Sequence, residues 1–132
     1  MPDYVLSKIS DALTDIGKPL KGSTILLLGV AYKAGVADLR ESPALDLIHL
    51  LQVKGAAVLY NDPYVPHLDT GELNLTSTPL DNATLQSVDC LVITTAHSDY
   101  NWQRIADHTR LVVDTRNAMQ HVTPTAAKIV KI

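Results

Sequence analysis

The sequence has 132 residues, 46% of them hydrophobic, and a formal net charge of −3. This apolar content is enough to bury the core of one globular domain, so an intrinsically disordered chain is excluded. The acidic balance and scattered lysines and arginines disfavour a nucleic-acid-binding surface, and a lone cysteine excludes an internal disulfide. No apolar run reaches the roughly 20 residues that span a bilayer. Asp3 stands where a signal peptide would be basic, so we expect a cytoplasmic protein without membrane contact.

The first predicted element is an amphipathic helix over residues 3–17, which ends at Gly17. Its apolar positions recur at steps of four and three along one face: Val5, Ile9, Leu13 and Ile16. A domain boundary is predicted near residues 17–22, because the first strand of the sheet begins only after them. We therefore expect the apolar stripe of this helix to pack against something outside the domain.

A strand, a helix and a second strand come next. TILLLGVA (24–31) is a continuous apolar run, typical of a strand buried on both faces of a parallel sheet. The helix begins with Ser42 as N-cap and Pro43 at its first position, and it closes at Gly55. AAVLYNDP (56–63) then reads as the second strand. This order requires a right-handed crossover and parallel strands.

The second half of the chain repeats the alternation of helix and strand. Residues 67–87 are polar and threonine-rich, with one short helical candidate at 80–86. The remaining predicted elements are strand 90–96, a short helix at 99–107, strand 110–116 and a last edge strand at 126–132. The sequence thus predicts an α/β fold, a Rossmann-like doubly wound parallel sheet in three layers, preceded by one amphipathic helix.

The loop after the first strand is a candidate anion site, because a strand leading into a helix N-terminus often binds anions. Its glycines, Gly29 and Gly35, fit neither the G-x-G-x-x-G nor the P-loop spacing. A self-sufficient dinucleotide or triphosphate site is therefore disfavoured. Asp62 ends the second strand where a ribose-binding acid would stand, although an aspartate capping the turn before Pro63 is the favoured interpretation.

Three cations surround the predicted strand ends. Lys33 and Arg40 flank the first loop, and each has two interpretations. They bind phosphate oxygens, or Lys33 is solvated and Arg40 pairs with neighbouring Asp38 or Glu41. Arg116 ends the fourth predicted strand and points at the same crevice, or it forms a salt bridge with Asp114.

Catalytic machinery is not visible in the sequence. His97 has no adjacent nucleophile and is better explained as a structural histidine. Cys90 begins a buried strand, which favours an inert core thiol. The five histidines lack metal-ligand spacing, so no metal is expected. Tyr100 and Trp102 are expected to be core or interface aromatics. These residues indicate an anion-binding α/β module.

Four segments, in this order, carry a resemblance to a known family. They are GVAYKxxxxDxRESPAL (29–45), YNDPYVP (60–66), VDCLVITTAH (88–97) and VVDTRN (112–117). The sequence strongly resembles the C-terminal domain of the UDP-glucose/GDP-mannose dehydrogenase family, over nearly its whole length. MPDYV (1–5) is similar to the end of the family's central helical domain. Together with DTRNAM (114–119), it is closest to the branch acting on UDP-N-acetylhexosamines such as UDP-N-acetylglucosamine.

The resemblance implies an activity for the longer protein. Members of the family oxidise the sugar C6 alcohol to a carboxylate in two NAD-dependent steps, with an NAD-binding N-terminal domain and a catalytic cysteine in the middle region. Neither region is in this chain. We therefore expect residues 1–17 to end the central domain and residues 18–132 to form the UDP-sugar-binding domain. We expect this domain to be inactive alone and to join its missing partners in a homodimer.

Site residues follow from the matched motifs. Tyr32 and Lys33 are implied to bind the substrate, and Arg116 to contact it, within one subunit or across the dimer. Arg40 is implied to reach the NAD held by the other domain, and no catalytic residue is implied. Ala96 stands where relatives often carry an acid, and so do Gly35 and Ala37.

Two other functions are considered. A self-association module would expose the apolar stripe of the first helix and keep a vestigial anion site. A stand-alone NAD-binding regulator is disfavoured, because the glycine fingerprint is missing.

Overall fold

The computed structural model describes residues 2–31, 35, 39, 42–71, 73–123 and 127–132. Within them the chain forms four helices and seven strands. The helices are α1 (Pro2–Asp15), α2 (Pro43–Val53), α3 (Asn82–Ser87) and α4 (Trp102–His108). The strands are β1 (Thr24–Leu28), β2 (Ala57–Asn61), β3 (His67–Asp69), β4 (Asn74–Thr76), β5 (Cys90–Ile93), β6 (Leu111–Asp114) and β7 (Lys128–Lys131).

Five strands form one parallel sheet in the order β2-β1-β5-β6-β7, so β1 lies between β2 and β5. Successive side chains of a strand point to opposite faces. Ile25 and Leu27 therefore join the core under α1 and α2, whereas Leu26 and Leu28 join the core under α3 and α4. The three-layer arrangement confirms the predicted α/β fold. No helix in the described part of the chain is both long and apolar enough to cross a bilayer.

Helix α2 begins and ends close to the predicted positions. Pro43 is its first residue, where a missing N–H costs no intrahelical bond. Its apolar face is buried against the sheet through four residues: Ala44, Leu47, Ile48 and Leu51. Gly55 follows the helix with φ +88° and leads directly into β2.

Helix α1 does not behave as expected. Ile9 and Leu13 are 0% exposed, and they pack in the same core as Ile48 of α2. The expectation that this stripe packs outside the domain is therefore wrong, because α1 covers the part of the sheet face that α2 leaves open. The self-association hypothesis loses the apolar surface on which it depended. The assignment of residues 1–17 to the end of a central domain stays a prediction.

The polar segment between β2 and β5 contains a hairpin that the sequence did not predict. β3 and β4 pair in antiparallel fashion, and Leu68 and Leu73 extend from it into the core of α1 and α2. The short helix predicted near the end of this segment is confirmed as α3. Its N-cap is Asp81, whose side chain accepts the N–H of Thr84 at 2.7 Å.

Candidate functional site

The carboxyl ends of β1 and β5 meet where the direction of winding changes. β2 pairs with β1 on one side, and β5 pairs with β1 on the other side. Open α/β sheets bind ligands in the crevice outside such a switch point. The loops after β1, β5 and β6 are therefore the places to look for a site.

A cleft of about 270 Å³ lies at this edge of the sheet. Its walls come from the first turn of α1, the start of α2 and the residues after β5, β6 and β7. They include Tyr4, Pro43, Leu47, Thr94, Arg116 and Ile132. Among the lining residues that the structure describes, Arg116 has the only charged side chain. The cleft is thus mostly apolar with one cation.

Asp114 fixes the backbone that carries Arg116. Its carboxylate is fully buried and accepts the N–H groups of Arg116 at 3.0 Å, Ala118 at 3.1 Å and Met119 at 2.8 Å. The alternative interpretation of Arg116, a salt bridge between its guanidinium and Asp114, is not among the ion pairs of the described residues. The Asp114 carboxylate binds backbone N–H groups instead, and the exposed Arg116 side chain lines the cleft.

The start of α2 lies at the same cleft without the side-chain cap that the sequence predicted. Ser42 is at the N-cap position, but its hydroxyl donates to the carbonyl of Val30 at 2.5 Å. It therefore accepts no N–H from the first turn of the helix. Pro43 has no N–H, and the Leu45 N–H donates to the Ser42 carbonyl at 3.4 Å, so the Ala44 N–H and the positive end of the helix dipole favour an anion at this point.

Asp62 connects the end of β2 to the loop after β1. It is 1% exposed, and its Oδ2 accepts the N–H groups of Val30 at 2.8 Å and Ala31 at 3.1 Å, while its Oδ1 accepts that of Tyr64 at 2.8 Å. His97 Nε2 lies 3.0 Å from the same Oδ2. The aspartate does cap the turn at Pro63, as favoured, and it also holds a second loop 32 residues away in the sequence.

His97 is a structural histidine, as expected. Its ring is 0% exposed, and Nδ1 accepts the N–H of Gly35 at 2.9 Å. Tyr64 and Tyr100 lie beside it, with ring centroids 4.7 and 6.0 Å away. Burial and the nearby charge of Asp62 raise the pKa of the Tyr100 hydroxyl, so it stays protonated.

Two threonines after β5 bind backbone carbonyl groups at the end of β1 and directly after it. The Thr94 hydroxyl contacts the carbonyls of Leu28 and Gly29, and the Thr95 hydroxyl donates to the carbonyl of Ala31 at 2.6 Å. The sequence analysis did not single out either residue. Their signal is a pair of hydroxyl side chains directly after a fully apolar strand, at the edge where neighbouring strands end.

Three predicted site residues, Tyr32, Lys33 and Arg40, lie outside the described residues, as do the proposed Arg40 partners Asp38 and Glu41. Of the four candidates, only Arg116 can be placed, and it lies at the cleft.

Other polar and reactive groups do not form a competing site. Burial raises the pKa of the Cys90 thiol to about 12, as expected for an inert core cysteine. Within the described residues, no three histidine, cysteine or acidic side chains are grouped to hold a metal. A larger cleft of about 500 Å³ lies between α2 and the β3–β4 hairpin, lined by residues that include Asp46, His49 and Thr70. Its described lining includes no residue that directly follows β1, β5 or β6, so it is a weaker candidate.

Comparisons with known proteins agree with the sequence resemblance. The family model described as the UDP-glucose/GDP-mannose dehydrogenase family, UDP binding domain, matches residues 26–121. The UDP-glucose 6-dehydrogenase of Rickettsia conorii is 35% identical over 92% of this chain and 29% of its own length. The UDP-N-acetyl-D-mannosamine dehydrogenase of Methanococcus maripaludis is 31% identical over 92% of this chain and 28% of its own.

Solved structures give the same result. The UDP-D-ManNAc dehydrogenase of Pyrococcus horikoshii superimposes with a TM-score of 0.80 at 26% identity, over 99% of this chain and 30% of that one. A UDP-glucose dehydrogenase of Pyrobaculum islandicum gives 0.70 at 25% identity, over 99% and 29%. This chain thus spans less than a third of the relatives' length. The family model matches most of the residues of this chain. The chain therefore belongs to the UDP-glucose/GDP-mannose dehydrogenase family and carries the UDP binding domain.

Proposed function

We propose that the strand-end cleft binds the UDP part of a nucleotide sugar. The observation that carries this proposal is the convergence on one cleft of Arg116 and the start of α2, which the Ser42 side chain does not cap. A guanidinium binds two oxygens of a phosphate at once, and a helix N-terminus supplies backbone N–H groups to the same kind of ligand. A diphosphate is the ligand that both features suit.

The apolar part of the cleft suits the rest of the nucleotide. Tyr4 is 51% exposed and Leu47 lines the same wall, so a flat base finds aromatic and aliphatic surface within reach of the arginine. We assign Tyr32 and Lys33 to the substrate together with Arg116, and Arg40 to the cofactor, on the motif resemblance alone.

The residues of this chain do not fit a dinucleotide site of their own. The carboxylate of Asp62 already holds three backbone N–H groups and the ring of His97, so it is not available to a ribose. NAD, which oxidises the alcohol in the proposed reaction, is therefore assigned to a domain outside this chain, with Arg40 reaching toward it.

The full protein is proposed to be an NAD-dependent UDP-sugar 6-dehydrogenase that converts the sugar C6 alcohol to a carboxylate. A UDP-N-acetylhexosamine is the proposed substrate, and cytoplasm the proposed location. This chain binds the substrate, and the partner domains and the second subunit supply the remaining parts. We expect no turnover by the chain alone, since the cysteine nucleophile is assigned to the missing middle region.

Amide NMR titration of this chain tests the proposal. UDP, UDP-N-acetylglucosamine and UDP-glucose are expected to shift the amides of Thr94, Thr115 and Arg116. Uridine, which lacks the diphosphate, is expected to bind at least about tenfold more weakly. NMR is suitable because half of a site binds weakly, and a missing response to UDP would contradict the proposal.

Two matched arginine variants locate the diphosphate. Arg116→Ala is expected to weaken UDP binding about tenfold, the equivalent of one charge-assisted hydrogen bond. Arg110→Ala removes the same side chain from the opposite end of β6, where Arg110 faces Asp89 at 3.8 Å, and is expected to leave UDP binding unchanged. Equal effects of the two variants would place the diphosphate elsewhere. Lys33→Ala in the same titration tests its assignment.

A further inference from the structure

Gly35, between β1 and α2, donates its N–H to a buried histidine, His97, for which the proposed function gives no role. We infer that His97 is a positioning residue for the nucleotide site. It is a neutral imidazole that carries its proton on Nε2, and it links Asp62 to the amide of Gly35. The inference rests on the proposed function, because it concerns the loop that carries Tyr32 and Lys33.

The protonation of the ring follows from its partners. A backbone N–H can only donate, so Nδ1, which lies 2.9 Å from the Gly35 nitrogen, has to accept and carries no proton. Nε2 lies 3.0 Å from Asp62 Oδ2, an acceptor, so the proton is on Nε2. A proton on Nδ1 would face the Gly35 N–H and break that bond. Each ring nitrogen therefore has one role.

The Asp62–His97 pair binds the backbone of the described residues on either side of positions 32–34. Asp62 Oδ2 accepts the N–H of Ala31, immediately before this stretch, and His97 accepts the N–H of Gly35, immediately after it. The same two side chains therefore bind the residues that directly precede and directly follow positions 32–34, where Tyr32 and Lys33 stand in the sequence. Such outer contacts orient the groups that touch a ligand and reduce the entropy lost on binding.

The surroundings of His97 keep water out. Tyr64 and Tyr100 pack against the ring, and the Tyr64 hydroxyl donates to Asp99 at 2.9 Å. Asp62 is the one carboxylate bonded to His97 within the described residues. With 0% exposure and both nitrogens in use, the imidazole has no position left for a ligand or a reacting group. It acts on the site only through Gly35 and Asp62.

The first experiment observes the bonds in the unaltered chain. Nitrogen NMR of the His97 ring is expected to show a neutral imidazole protonated on Nε2. A scalar coupling across the hydrogen bond is expected between the Gly35 amide nitrogen and His97 Nδ1. A proton on Nδ1, or a missing coupling, overturns the inference, and this result does not depend on whether UDP binds.

The second experiment separates the two ring nitrogens by substitution. In His97→Asn the side-chain oxygen takes the place of Nδ1 and still accepts from Gly35. In His97→Gln the amide nitrogen takes the place of Nε2 and still donates to Asp62, but the Gly35 N–H loses its acceptor. We expect His97→Gln to weaken UDP binding about tenfold or more and His97→Asn to weaken it clearly less. His67→Gln, at an exposed position of the β3–β4 hairpin, is the matched control.

The outcomes separate this inference from the proposed function. If the unaltered chain does not bind UDP, the proposed function fails, and the coupling experiment still decides the geometry. If the chain binds UDP and both His97 variants bind it as well as the His67 control, His97 does not position the site. Equal losses in two folded His97 variants also overturn the inference, because the Gly35 bond would then not be the cause. If either variant fails to fold, the nitrogen NMR result decides alone.

Discussion

Gly29 is the residue whose substitution the structure predicts in most detail. It follows β1 directly, with φ +86°, and it lies against the backbone of Thr95 after β5. A Cβ built on it would lie 2.5 Å from the Thr95 carbonyl oxygen and 2.9 Å from the Thr95 Cα. Gly22 has the same φ of +86°, but its Cβ would meet nothing within 4 Å. Gly29→Ala and Gly22→Ala therefore differ mainly in the contact with Thr95.

The magnitude follows from two contributions. The left-handed conformation costs an alanine about 1 kcal/mol relative to glycine, and both variants bear this cost. In Gly29→Ala the new methyl group also forces β1 and β5 apart at their carboxyl ends, which adds about 2 kcal/mol on the scale of overpacked cores. We expect losses in the free energy of unfolding of about 1 kcal/mol for Gly22→Ala and about 3 kcal/mol for Gly29→Ala.

Urea unfolding followed by circular dichroism measures both values in this chain. The difference between the variants isolates the close approach of the two loops, because φ is +86° at both glycines. If Gly29→Ala is no less stable than Gly22→Ala, the predicted contact with Thr95 does not constrain the fold.

Three further predictions concern buried and charged groups. Asp62→Asn is expected to lower the free energy of unfolding by about 3 kcal/mol. The reason is that the side-chain NH₂ group of asparagine, a donor, would face backbone N–H groups from which the carboxylate accepts hydrogen bonds. Asp69→Asn, an exposed turn aspartate, should cost less than about 1 kcal/mol in the same urea experiment, and a similar cost for both would contradict the role of Asp62. The Thr24 N–H holds the pKa of Asp89 below its ordinary value, so this carboxylate stabilises the fold above about pH 4 and the contribution is lost as the pH falls through the lowered value. Asp89→Asn should therefore be less stable than the unaltered chain by about 1 kcal/mol at about pH 7, and the difference should shrink as the pH falls through the lowered pKa of Asp89, as urea unfolding at several pH values can show. The Cys90 thiol, whose pKa is raised to about 12 by burial, should resist iodoacetamide in the folded chain and react in urea, and rapid labelling of the folded chain would contradict its burial.

The sheet was predictable because its strands are continuous apolar runs. ILLL and CLVI are buried on both faces, and a sequence shows this without knowing the partner strands. The β3–β4 hairpin was not predictable, since each strand has only three residues around one leucine, which is too short for an alternation to be recognised. The apolar stripe of α1 could be read from the sequence. The surface against which it packs could not, because that surface is the part of the sheet face that α2 leaves open.

The site was predictable in position but not in its supporting contacts. Arg116 follows a strand, and the carboxyl ends of parallel strands meet at one edge, so topology alone placed it. The role of Asp62 depends on amides 31 and 32 residues away and on a histidine 35 residues away. Only the tertiary fold brings these groups together. Ser42 was predicted as a helix cap, but the carbonyl of Val30 competes for its hydroxyl.

The outermost strand of the sheet, β7, bears on how copies of the chain behave at high concentration. It pairs with β6 on one side, and its sequence KIVK places a lysine at each end of two apolar residues. An unpaired strand edge is a template for strands of other molecules, and charged residues at the edge oppose such addition. Lys128 also lies 3.6 Å from Asp15 at the end of α1, which anchors one of the two charges. The lysines of β7 thus act against aggregation through an edge that the sheet has to leave open.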